Sequence, residues 1–93
     1  MSERGVKLTL LSRAYCHLCD EMLADVRPVV EAHGAALEVL DVDAPGNAAL
    51  ESVWGDRVPA LFAGTPDGGA LLCHYHLDRA RLLFALRAPP AVG

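Results

Sequence analysis

The sequence predicts an α/β domain with a mixed four-stranded sheet, its elements running strand, helix, strand, helix, strand, strand, helix. Three observations lead there. Residues 6–12 (VKLTLLS) form a short apolar run with β-branched members, the pattern of a strand buried on both faces. Past residue 17 the apolar residues recur at three- and four-residue steps, so a helix follows the strand. Toward the other end, two further strand-like runs are separated by Thr65-Pro66-Asp67-Gly68, whose Pro and Asp-Gly are turn formers.

The first strand ends at the polar pair Ser12-Arg13. Leu18, Met22, Val26, Val29 and Val30 then make one apolar helix face, which His33-Gly34 terminates and within which Pro28 is expected to introduce a kink. Residues 35–43 (AALEVLDVD) alternate as a second strand, and Ala44-Pro45-Gly46 breaks it before a shorter helix over 47–54. The runs at 58–64 (VPALFAG) and 69–76 (GALLCHYH) read as a hairpin. Asp78 is a suitable N-cap for a last helix whose apolar face is Leu82, Leu83 and Leu86. A strand-helix-strand crossover makes the first two strands parallel, the hairpin adds an antiparallel edge, and helices cover both faces.

The length of 93 residues suits one domain, 1–93, with a core over about 6–87 and a tail at 88–93, because Pro89 and Pro90 cannot continue a helix. Hydrophobic residues make up 53% and charged ones 22%, enough for a core and unlike the composition of disorder. The net charge is −4 and the basic residues are scattered singly, which argues against nucleic acid as a partner. The start has no signal-peptide core, and no apolar run approaches the roughly 18 residues of a membrane span. A cytoplasmic protein with no membrane partner is therefore expected.

Cys16 and Cys19, within "RAYCHLCDEM", fall where the first strand passes into the first helix. Ligands on such sheets gather near the carboxyl ends of the strands. A cysteine attacks as thiolate, and helix N-termini lower its pKa from about 8.5 to roughly 3.5–7.5 in such motifs. Residues three apart on a helix are neighbours, so Cys19 can attack a mixed disulfide formed at Cys16. Cys16, at the helix start, is assigned as nucleophile and Cys19 as the resolving thiol. Tyr15, His17 and Leu18 surround the pair and are assigned to tuning it. Protonated His17 would stabilise the thiolate; its plain alternative is a solvated surface histidine.

Three cysteines are an odd number, and a close pair in a reducing compartment is more often catalytic or metal-binding than structural. Two alternatives stay open beside the redox couple. The cysteines could be packing residues. Cys16, Cys19, Cys73 and His76 could also form a zinc site, although an extended "LLCHYH" would turn Cys73 and His76 to opposite faces unless a bulge intervened. Cys73 alone reads as a buried strand residue, and His74 and His76, on the face opposite Cys73, as exposed. Asp41 and Asp43 form a polar strand end rather than a magnesium site, and Trp54 belongs to the core.

With these residues in view, the chain resembles the thioredoxin superfamily and, within it, the small bacterial glutaredoxin-like proteins. "LLSRAYCHLC" is similar to the glutaredoxin pattern of apolar strand, Ser-Lys or Ser-Arg pair and C-x-x-C, and "RVPALFAG" resembles the family's Val-Pro segment. The resemblance runs from about Val6 to Leu86 and implies a thioredoxin-like fold. It implies a cis Val58-Pro59 bond beside the cysteines, leaving the Val58 backbone free for a substrate peptide or glutathione. It also implies that Arg13 meets a glutathione carboxylate, where the plain alternative is a solvated charge, and that Asp78 caps the last helix and meets the glutathione amine. The chain departs from the family at His74-Tyr75, where glutaredoxins carry Gly-Gly, and at Leu18, where they commonly carry tyrosine. Leu10 stands where thioredoxins have a buried aspartate.

The expected function is that of a monomeric thiol–disulfide oxidoreductase and electron carrier, acting on protein disulfides or glutathione mixed disulfides. No metal or prosthetic group is required, glutathione serves as co-substrate, and a cellular dithiol or glutathione restores the reduced pair. The alternative is a non-catalytic module that binds zinc or an iron–sulfur cluster through the same two cysteines.

Overall fold

The computed structural model describes residues 6–87. Its first strand, β1 (Lys7–Ser12), buries Leu8, Thr9, Leu10 and Leu11 because it has a neighbour along each edge and side chains packed on each face. Along one edge it pairs in parallel with β2 (Ala36–Asp41), Leu8 opposite Leu37. Along the other it pairs antiparallel with β3 (Ala60–Ala63), Leu10 opposite Leu61. β4 (Ala70–His74) closes the sheet beyond β3, giving the order β2-β1-β3-β4. This is the mixed thioredoxin-like sheet that the element order predicts.

Alternation along β1 sends its residues to two separate cores. Leu8 and Leu10, with Leu61, pack under helix α1 (His17–Ala32) against Met22, Val26 and Val30, and under helix α3 (Arg79–Arg87) against Leu82 and Leu86. Leu11, with Ala60 and Phe62, faces the other way, toward Val42, Val58 and the helix α2 (Ala48–Trp54) residues Leu50 and Trp54. Each leucine buried in this way stabilises the fold by about 1.5–3 kcal/mol. The one buried polar side chain among these, Thr9, donates its hydroxyl hydrogen bond to the Gly64 carbonyl at 2.6 Å, so its burial leaves no orphan.

Several boundaries differ from the expectation. α1 continues through Pro28, which lies on the exposed side together with Ala24, whose carbonyl loses its partner there and can meet water. It ends as predicted: Gly34 adopts φ +66° and the Ala35 amide reaches back to the Val30 carbonyl at 3.0 Å. β2 stops at Asp41, two residues early, because the Asp41 carboxylate accepts the Asp43 amide and turns the chain. β3 begins only at Ala60, since Pro59 has no N–H for the ladder.

The largest departure is in β4, which ends at His74 because Tyr75 takes a left-handed φ of 64°. Its register also slips: Leu61 faces Cys73 and Phe62 faces Leu71, leaving Leu72 as an extra residue in a bulge. Leu72 and Cys73 therefore both pack on the α1–α3 side. The alternation expected to part Cys73 from His76 does not operate, since His76 lies beyond the strand. His74 lies opposite Ala60 and so shares its face of the sheet. No described helix is long and apolar enough to cross a membrane. The tail at 88–93 lies outside the described residues.

The turn between β3 and β4 depends on Gly69, whose α-carbon lies so close to the chain that a Cβ would meet the Thr65 carbonyl oxygen at 2.7 Å and the Thr65 nitrogen at 2.9 Å. These are backbone atoms that cannot step aside. The substitution Gly69→Ala should lower stability by about 1–3 kcal/mol, read as a fall in the urea midpoint at unchanged slope.

Candidate active site at the start of the first helix

The chain leaves β1 at Ser12, turns through an exposed, left-handed Tyr15 (φ 56°), and enters α1 with Cys16 as N-cap. Cys16 is extended (φ −114°, ψ 104°), and its sulfur accepts the Cys19 amide at 3.2 Å. This is the position a serine or aspartate oxygen occupies in an ordinary cap, and a negative sulfur there is stabilised by the unpaired amides and the positive end of the helix. Asp20, also in the first turn, competes for the same field.

Cys16 and Cys19 are joined as a disulfide, their α-carbons 5.2 Å apart. The two sulfurs are not equivalent. Cys16 is half-buried, whereas Cys19 is 1% exposed among Leu11, Val58 and Phe62. Cys16 is therefore the more accessible of the two sulfurs. Leu18 is half-buried beside them, and the exposed His17 directs Nε2 to the Glu21 carboxylate at 2.7 Å, one turn along the helix and away from the cap.

Arg13 is not the solvated charge of its plain alternative. Its guanidinium donates through Nε and Nη2 to both oxygens of Asp43 (3.0 and 2.6 Å), and through Nη1 to the Gly55 carbonyl (2.8 Å), with Glu51 at 3.5 Å. The forked contact expected for an external carboxylate is made internally, tying the exit of β1 to the turn after β2 and to the end of α2. Hydrogen bonding to Asp43 holds the Arg13 guanidinium above its ordinary pKa and, reciprocally, holds the Asp43 carboxyl below its own. Gly55 leaves the space: a Cβ there would stand 2.6 Å from a Glu51 carboxylate oxygen. Sequence reasoning missed this network. The available signal was that two parallel strands ending side by side, Ser12 opposite Asp41, bring Arg13 and Asp43 to one corner.

The Val58–Pro59 bond is cis. Val58 packs in the same cluster as Cys19, with Cys16 against it, so the Val-Pro segment borders the cysteine pair. The Pro59 carbonyl accepts the Tyr75 amide at 2.8 Å; the Val58 amide closes the 3-10 turn over Gly55–Arg57, and the Val58 carbonyl has no backbone partner among the described residues. Asp78 caps α3 through the Arg81 amide at 3.1 Å. Trp54, expected in the core, is half-buried against it, meeting Phe62 edge-on with ring centres 5.0 Å apart and covered by Arg57.

Cys73 is half-buried on the far face, where burial pushes its thiol pKa up. Among the described residues no three of His, Cys, Asp and Glu come together as metal ligands, so Cys73 and His76 do not complete a set with Cys16 and Cys19.

Residues 7–87 match the family model of the glutaredoxin-like domain (DUF836). The chain belongs to this glutaredoxin-like family. Among solved structures, a Nitrosomonas europaea protein determined by NMR is 39% identical over 88% of this chain and 91% of that one, with a TM-score of 0.69. An X. campestris structural-genomics target determined by X-ray diffraction is 37% identical over 89% of this chain and 99% of that one, at a TM-score of 0.60. The thioredoxin of Trichomonas vaginalis aligns over 88% of this chain and 77% of its own at a TM-score of 0.60; at 23% identity it shows the fold alone. A search of curated proteins finds no match. In this glutaredoxin-like domain the family's C-x-x-C is thus a half-exposed cap cysteine followed by a buried one at disulfide distance.

Two outcomes follow. The depressed Asp43 pKa means its contribution is full above the ordinary carboxylate value, about 4, and is lost as pH falls through the lower folded value. Asp43→Asn should therefore melt below wild type at pH 7, with the gap in Tm narrowing below about pH 4. In the reduced protein, iodoacetamide at pH 7 should label Cys16 first and Cys73 slowly. Labelling of Cys73 should accelerate only above the ordinary thiol value, about 8.5, as followed by peptide mass mapping.

Proposed function

We propose that this domain is a thiol–disulfide oxidoreductase in which Cys16 is the nucleophile and Cys19 the resolving thiol. The observation that carries the reading is the asymmetry of the pair: one sulfur at the open helix cap, the other buried behind it. The Cys16 thiolate attacks one sulfur of a substrate disulfide; a Cys16–substrate bond forms, the substrate S–S bond breaks, and the departing thiolate takes a proton from water. The Cys19 thiol then gives up its proton and attacks the Cys16 sulfur, forming the Cys16–Cys19 disulfide and releasing the second substrate thiol. Two electrons and two protons pass from the cysteine pair to the substrate. A cellular dithiol, or two molecules of glutathione, returns them.

The Val58 carbonyl, without a backbone partner among the described residues and bordering the pair, offers an acceptor to an incoming extended chain, as a sheet edge does. Arg13 acts as a positioning residue that holds the loop before Cys16. Asp78 anchors α3 under the sheet. We take the protein to act in a reducing compartment, the cytoplasm, with protein disulfides or glutathione mixed disulfides as substrates and glutathione as a co-substrate.

The test is intact mass after equilibration across reduced-to-oxidised glutathione ratios. A loss of two hydrogens should titrate with the ratio. Cys16→Ser should bring disulfide exchange down to the uncatalysed rate, and Cys19→Ser should stall as a mixed disulfide on Cys16. Cysteines that stay reduced at every ratio, in a protein that takes up zinc or an iron–sulfur cluster, would sink the proposal.

A further inference from the structure

Tyr75 is an aromatic residue in a conformation that aromatic residues rarely hold. With φ at 64° and the His76 amide bonded to the His74 carbonyl at 2.7 Å, it is the centre of a tight three-residue turn of the strained kind. Such strain persists only where the surroundings enforce it. Here the Tyr75 amide donates to the Pro59 carbonyl, and its hydroxyl donates to the Asp56 carbonyl. Asp56 and Pro59 flank Arg57 and Val58, so this one residue holds the loop at both ends. The His74 ring rests against the phenol, with ring centres 4.6 Å apart.

The clamp decides which groups of the site remain available. It consumes the Pro59 carbonyl and leaves the Val58 carbonyl as the loop's backbone acceptor without a backbone partner among the described residues. Recognition by that acceptor suits a ligand with an extended backbone of its own. A small thiol recognised through its carboxylates would need a cation, and the guanidinium at this corner, Arg13, is already engaged with Asp43, Glu51 and the Gly55 carbonyl. On the other side of Cys16, the fully exposed ring of Tyr15 offers contact area to a chain long enough to cross the cap.

Resting on the oxidoreductase reading above, we infer that Tyr75 is a specificity-determining residue, which fixes the Val58 carbonyl and selects disulfides carried in extended polypeptide over the disulfide of glutathione. The exchange itself is the one already written; Tyr75 acts on the affinity for the chain that carries the disulfide.

The experiment mixes reduced protein in stopped flow with excess synthetic peptide closed by one disulfide, or with oxidised glutathione, and reads the limiting rate and half-saturation concentration for each. Wild type should favour the peptide. Tyr75→Phe loses the hydrogen bond to Asp56, and the ratio of peptide to glutathione-disulfide rate constants should fall roughly five-fold, with the loss in half-saturation. Tyr75→Gly tolerates the same φ without strain and removes the clamp's side chain, so its ratio should fall further. A wild-type preference for oxidised glutathione, or a ratio that neither variant moves, would overturn the role of Tyr75. The glutathione mass titration on the same wild-type protein separates the two failures: if the Cys16–Cys19 pair exchanges while the ratio stays put, only Tyr75's role is lost.

Discussion

With no side of β1 open to water, its backbone groups must be satisfied along both edges and its side chains on both faces, and most of the molecule is the set of elements that does so. β2 and β3 supply the hydrogen bonds; α1 and α3 close over Leu8 and Leu10, and α2 over Leu11. Where β1 ends, the chain has to leave a filled sheet in a few residues and begin a helix. That places the helix's unpaired amides at the sheet's carboxyl edge, where Cys16 uses one of them. The position of Cys16 is thus a by-product of strand burial, with the cysteine in place of an ordinary capping residue.

The corner is then made rigid by charge. Arg13 leaves β1 one residue after its last pairing and reaches across to three different pieces of chain, the turn after β2, the body of α2 and its end. A loop held in this way loses little freedom when a substrate arrives, which is what preorganisation means for a site built between elements. The arrangement is partly exposed, so its value lies in geometry more than in stability.

The order of elements, the two faces of α1, the N-cap at Asp78 and the two cysteines were legible because each follows from short-range pattern: run length, helical spacing, a capping side chain. What was not legible depended on contacts distant in sequence. Asp43 reads as a strand residue until Arg13, thirty positions away, is seen to hold it. "CHYH" reads as strand because tyrosine favours strands and no glycine announces a left-handed turn; the partner that holds Tyr75 there is the Asp56 carbonyl, nineteen positions earlier. The bulge at Leu72 was invisible for a similar reason. Three consecutive apolar residues, Leu71, Leu72 and Cys73, fit the sheet in either register, and only the pairing with Leu61 and Phe62 decides.

That bulge also sets the parity of everything after it. In a strand of period two, one inserted residue exchanges inside for outside from that point on, so His74 falls on the face that carries Cys16 and Cys19 while Cys73 falls on the opposite one. Were the same residues paired with β3 without the bulge, Leu72 would take the place opposite Leu61 and Cys73 the place opposite Ala60, turning a third thiol toward the face of Cys16 and Cys19. The insertion works as insulation against mispairing: the fold keeps its spare cysteine by placing a sheet between it and the two cysteines of the motif.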